Sequence, residues 1–312
     1  MSSSAQNPSI PVLKNILFAT DFSPSSEAAI PVVRALAARF AFTVHFVHVV
    51  TPEARTAVPM DSLPELDVEQ TDAEDEMQLL LAGDRWRGIP HTSTVERGQV
   101  WKVIMSLVEV RNIDLIVLGT HGHRGLKKLV LGSTAEQVIR MAPCPVLTVG
   151  PHAKNENEVP AADAPVLFAT DFSSGAHYAL RYAAFWARAN RSRLVLLHAV
   201  PPLMDIPPGD VDPMPLKAAM SVEVIAGAQA YARRQLAEMI AAENLQELEP
   251  ETIVENWPAA EVILATAREK KAGLIVMGAH RAWSQSLAGH LPWATASAIL
   301  CEAPCPVITV RD

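Results

Sequence analysis

The chain is short of several residue patterns, and each shortage excludes a class of protein. Its three cysteines form no Cys-x-x-Cys pair and no zinc spacing. A disulfide framework and a cysteine metal site are both excluded on that ground. Cys144 and Cys305 each stand between two prolines, and both read as small buried residues entering a last strand. Pro304 separates Cys301 from Cys305, so one helix cannot carry both. No apolar run approaches the ~20 residues that span a bilayer. Residues 1–11 are polar and lack a signal-peptide core, which predicts a short disordered leader on a cytoplasmic protein. Lys and Arg make no long run, and the net charge is -8. Nucleic acid and anionic membrane are therefore poor partners. Neither Gly-x4-Gly-Lys-Ser/Thr nor a Gly-x-Gly-x-x-Gly first turn occurs. No His, Asp and Glu set has metal-ligand spacing.

What is present is a repeat. Leu17-Phe18-Ala19-Thr20-Asp21-Phe22-Ser23 returns unchanged as Leu167-Phe168-Ala169-Thr170-Asp171-Phe172-Ser173. Ala142-Pro143-Cys144-Pro145-Val146 returns as Ala303-Pro304-Cys305-Pro306-Val307. Fixed-order self-similarity marks one supersecondary unit written twice. The length of 312 residues suits two domains, and 49% hydrophobic content excludes a disordered chain. The division expected is a leader at 1–13, a first domain at 14–149, a linker at 150–163 and a second domain at 164–312.

Short apolar runs bounded by turn signals predict strands at 15–20, 43–50, 92–96, 114–118 and 146–149. Helices are expected from Pro24 to about Phe40, at 71–87, from Val100 to Val108 and at 133–141. Ser23 is a candidate N-cap, and Pro31 should kink the first helix or delay its start. The second half repeats the order, with strands near 166–170, 194–200, 252–255, 274–277 and 307–310 and a long helix near 216–244. Residues 51–75 and 201–215 read as solvated loops, with a lid or partner contact as the other reading. Strands alternating with helices imply an α/β chain of two tandem doubly wound, five-stranded parallel-sheet (Rossmann-like) domains with helices on both faces. Ligands in such folds sit beyond the carboxyl ends of the strands. That directs attention to Asp21 and to the segment from Gly119 onward.

The segment from Gly119 to Ser133 has the skeleton Gly-x2-Gly-x9-Gly-Ser, made by Gly119, Gly122, Gly132 and Ser133. The first two glycines permit tight turning and close approach to a ligand. Gly132-Ser133 opens a helix whose free amides and dipole favour an anion. Taken alone, the loop serves equally well as turn glycines and an ordinary cap. His121 lies between two glycines, where it can face a phosphate or fill a turn. Asp21 can cap a turn as readily as it can meet a ligand. His48 reads as a hydrogen-bonded core histidine.

The loop, Ala-Thr-Asp-Phe-Ser, the duplication and Pro-Cys-Pro-Val together resemble the universal stress protein family, over both 14–149 and 165–310. In that family's nucleotide-binding members this skeleton holds the phosphates of ATP. The resemblance assigns that role to Gly119, Gly122, Gly132 and Ser133, with Thr134 and Ala135 in the phosphate-facing turn. It implies a ribose contact for Asp21, beside Thr20, and an adenine contact through the backbone of Val49. Mg²⁺ is implied only as a companion of the triphosphate. The family's single-domain members pair through their last strands, which implies an internal pseudo-dimer here. Further homodimerisation and the identity of a protein partner stay open.

The second half departs from the pattern. Arg281 stands where the second glycine should be, and Trp293-Ala294 replace Gly132-Ser133. A tryptophan there obstructs phosphate, and alanine removes the hydroxyl donor. The expectation is one ATP site per chain, in a stress-response sensor or regulator with a structural second half. The alternatives are a scaffold that binds no nucleotide and a slow ATP hydrolase. No catalytic residue is identified for the last.

Overall fold

A computed structural model describes residues 13–51, 63–120, 131–153, 163–202, 216–279 and 293–311. Its strands are β1 (Asn15–Ala19), β2 (Thr43–Val50), β3 (His91–Arg97), β4 (Leu115–Gly119), β5 (Val146–Val149), β6 (Val166–Ala169), β7 (Leu194–Val200), β8 (Glu251–Asn256), β9 (Leu274–Ala279) and β10 (Val307–Arg311). They form one ten-stranded sheet in the order β3-β2-β1-β4-β5-β10-β9-β6-β7-β8. Each half is parallel throughout, and the halves join through β5 and β10, which run antiparallel.

The first helix breaks as the proline predicts. α1 (Pro24–Glu27) ends within one turn, and α2 (Ile30–Phe40) begins with Pro31 in its first turn, where the missing N–H costs nothing. The second half has no proline there, and α6 (Ser174–Asn190) runs unbroken. α3 (Leu63–Leu81) starts earlier than its apolar pattern suggested. The acidic stretch read as a loop supplies its opening turns. Gly83, at φ +80°, follows its end. The remaining helices are α4 (Val100–Val110), α5 (Ser133–Met141), α7 (Leu216–Ala242), α8 (Ala259–Glu269) and α9 (Trp293–Glu302). The leader, most of the linker and the tips of both inserted loops lie outside the described residues.

Strand periodicity sorts the core into two layers. Ile16 and Phe18 face a layer built with α2, α3, α6 and α7. Leu17 faces the other, with α4, α5, α8 and α9. Each layer runs through both halves, so the seam lies inside continuous apolar packing. Phe40 of α2 crosses it to Phe185 and Trp186 of α6, at ring separations of 5.8 and 5.2 Å. Among the described residues no helix is long and apolar enough to cross a membrane.

Candidate functional site

At the carboxyl end of β1 the chain makes a strained turn. Phe22 has φ +58°, a left-handed conformation unusual for an aromatic residue. Local bonds hold it there. Phe22 N donates to Thr20 Oγ1 at 3.0 Å, and Ser23 N donates to Asp21 Oδ1 at 3.1 Å. The Thr20 and Ser26 hydroxyls share a hydrogen bond of 3.0 Å. The Phe22 ring stacks on His48 with centroids 4.5 Å apart. His48 Nδ1 in turn donates to the Thr20 carbonyl at 2.9 Å. Ser23 caps α1, its Oγ accepting from Ser26 N.

The second half builds the same turn. Phe172 has φ +63°, Ser173 N donates to Asp171 Oδ1 at 3.0 Å, and Phe172 stacks on His198 at 4.3 Å. Burial lowers the His198 pKa, against the opposing pull of its bond to Thr170 and the charge of Asp171. The Thr-Asp-Phe-Ser motif is thus a turn device in both halves. The capping role is real for Asp21, and a carboxylate with several acceptor sites can serve a hydroxyl as well.

Gly119 and Gly132 stand in different surroundings. A Cβ on Gly119 would lie 2.7 Å from the Ser25 carbonyl oxygen, and one on Gly278 would lie 2.6 Å from Ala176 N. The end of β4 and the backbone of α1, which follows the neighbouring β1, approach so closely that only glycine fits, and β9 meets α6 in the same way. This is a packing constraint of the fold that the sequence reading did not foresee. Gly132 is the N-cap of α5 with φ -61°. A Cβ there would meet the Thr120 carbonyl oxygen only at 3.4 Å. Among the described residues nothing requires glycine at 132, and no side-chain cap bond closes the helix start. Gly132 is half-buried, Ser133 and Thr134 are exposed and Ala135 is buried.

The sheet gathers these positions at one edge. β1 lies between β2 and β4, so Thr20 and Asp21, Val49 near the end of β2, and Gly119 share the carboxyl ends of adjacent strands. The α5 start is tied there by Gly132 N donating to the Thr120 carbonyl at 2.9 Å. His121 and Gly122 lie outside the described residues, as do Arg281 and Trp283. Sequence reading missed Thr120, which is 1% exposed and anchors the helix start. Its place directly after Gly119 was the one signal for it. Among the described residues no group of three or more His, Cys, Asp and Glu could hold a metal ion.

Trp293 opens α9 at the place of Gly132. Its ring lies under the guanidinium of Arg140, in the last turn of α5, at 4.3 Å. Arg140 Nη2 also pairs with Glu136 Oε1 at 2.9 Å, and Arg311 Nη1 donates to the Arg140 carbonyl. The sequence marks Trp293 as a pocket cover or a contact surface, but Arg140 as its partner carries no signal, because the two are far apart along the chain.

Comparison with known proteins agrees with the architecture. The family model described as Universal stress protein family matches residues 13–150 and 164–311. The chain is similar to Universal stress protein A homolog 1 of Coxiella burnetii, 37% identical over 141 residues, covering 44% of this chain and 95% of that protein. It is also similar to a Methanocaldococcus jannaschii universal stress protein, MJ0531, at 34% identity, covering 44% of this chain and 81% of that protein. A solved universal stress protein of Archaeoglobus fulgidus shares the fold across 95% of this chain and 98% of its own, with a TM-score of 0.67 at 21% identity.

Proposed function

The chain belongs to the universal stress protein family, and on that premise we propose that its first half binds ATP and reports nucleotide occupancy to a partner in a stress response. The observation that carries this reading is the start of α5. Gly132 leaves its Cβ space open without any need from the described protein packing, and no side chain caps the helix. Backbone amides at such a start form an anion site. Ser133 adds a hydroxyl. Asp21 and the backbone of Val49 take the ribose and the adenine, as the family resemblance implies. Mg²⁺ comes with the triphosphate, bound chiefly by phosphate oxygens and water.

The second half is structural in this reading. Trp293 occupies the place of the open glycine, and its ring is engaged by Arg140. Calorimetric titration of Mg-ATP into the full chain should give one site, lost in Gly132→Trp. A stoichiometry of zero removes the reading, and a stoichiometry of two removes the structural role of the second half.

A further inference from the structure

The contact between Trp293 and α5 bears on the proposed nucleotide site, and its significance rests on that reading. Glu136 lies in the first turn of α5, about 6 Å of axial rise beyond Gly132 at ~1.5 Å per residue. A carboxylate there competes with a bound polyphosphate for the same positive helix end. Arg140, four residues on, draws it back, with Nη2 2.9 Å from Glu136 Oε1. Arg140 is in turn held by the second half, through the face of Trp293 at 4.3 Å. The second half has no such relay on its own helix. Aligning the two Ala-Pro-Cys-Pro segments puts Ser297 and Cys301 where the first half has Glu136 and Arg140.

We infer that Trp293 and Arg140 are positioning residues through which the second half sets the affinity of the first-half site for the phosphate chain, by neutralising Glu136. The tryptophan that replaces the phosphate glycine of its own domain serves the site of the other. The chemistry that such a device distinguishes is ligand charge. A polyphosphate nucleotide feels Glu136, whereas an uncharged nucleoside does not.

The test is titration of the full chain with ATP and, separately, with adenosine. Arg140→Met should weaken ATP about three- to tenfold, the effect of one uncompensated charge about a helical turn away in a largely solvent-screened setting. Adenosine should change less than about twofold, and the ATP loss should shrink at high salt. Adding Glu136→Gln to Arg140→Met should restore ATP binding to within about twofold, since the offending charge is gone. Trp293→Ala should give a smaller loss of the same kind, and Trp293→Phe should retain an aromatic face for the cation. An equal loss for ATP and adenosine, or failure of Glu136→Gln to restore binding, overturns the relay while leaving the ATP site standing. Absence of ATP binding by the unaltered chain overturns the site and the relay together.

Discussion

Gly119 and Gly132 look alike in the sequence, yet different forces hold them. Gly119 faces backbone that cannot yield, so Gly119→Ala should cost about 1–3 kcal/mol, the usual penalty of overpacking. Gly278→Ala should cost the same in the second half. Gly132→Ala should stay within about 1 kcal/mol of the unaltered chain, because its φ is ordinary and the loss of a tolerable N-cap is small. Urea unfolding without nucleotide measures all three, and equal losses would show that the distinction is false. The repeated cysteines carry a second prediction. Burial pushes the Cys144 thiol up to about 12, helped by the charge of Asp114, and burial pushes Cys305 up to about 12 as well. Between the ordinary thiol range and that value the folded chain holds more protons than the unfolded one. Stability should therefore be intact below pH ~9 and fall as pH rises towards ~12. Alanine at both positions should flatten that slope in unfolding curves, and an unchanged slope would contradict the assignment.

At the scale of elements, the seam strands decide the assembly. In the β5 and β10 pair Leu147 stands opposite Ile308, and Thr148 opposite Val307. Thr148 Oγ1 donates to the Val307 carbonyl and Thr309 Oγ1 to the Val146 carbonyl, so the hydroxyls of both strands are satisfied. The seam is not symmetric. Phe40 and Phe42 stand at the end of the first-half helix, whereas buried Asn190 and Ser192 take the matching places of the second. Alone, the first half would expose β5 as an unpaired apolar edge, which templates pairing with another chain. A fragment of residues 13–153 should therefore dimerise, and light scattering on a size-exclusion column would read it. A monomeric, stable fragment would mean that β5 needs no partner. The same scale shows where periodicity misleads. α3 begins in an acidic stretch without apolar period, so pattern alone placed its start too late.

For the whole molecule, much was legible along the chain. Pro31, Ser23 and the strand runs announced their own elements, because helix breaking, capping and strand burial act within a few residues. The turn at Asp21 was foreseen as one of two readings, and the structure realises it in both halves. The packing demand on Gly119 was not foreseen, since the helix backbone it touches approaches only after the crossover folds back. The Arg140 and Trp293 contact was invisible, as was the role of Thr120. Local chemistry was enough to settle the duplicated α/β order, the cap at Ser23 and the loss of a glycine-serine start in the second half. The pairing of the last strands was anticipated only through the family resemblance, and that Trp293 reaches α5 was settled by folding alone. Those contacts join residues more than a hundred positions apart, and only burial of the shared apolar layers brings them together.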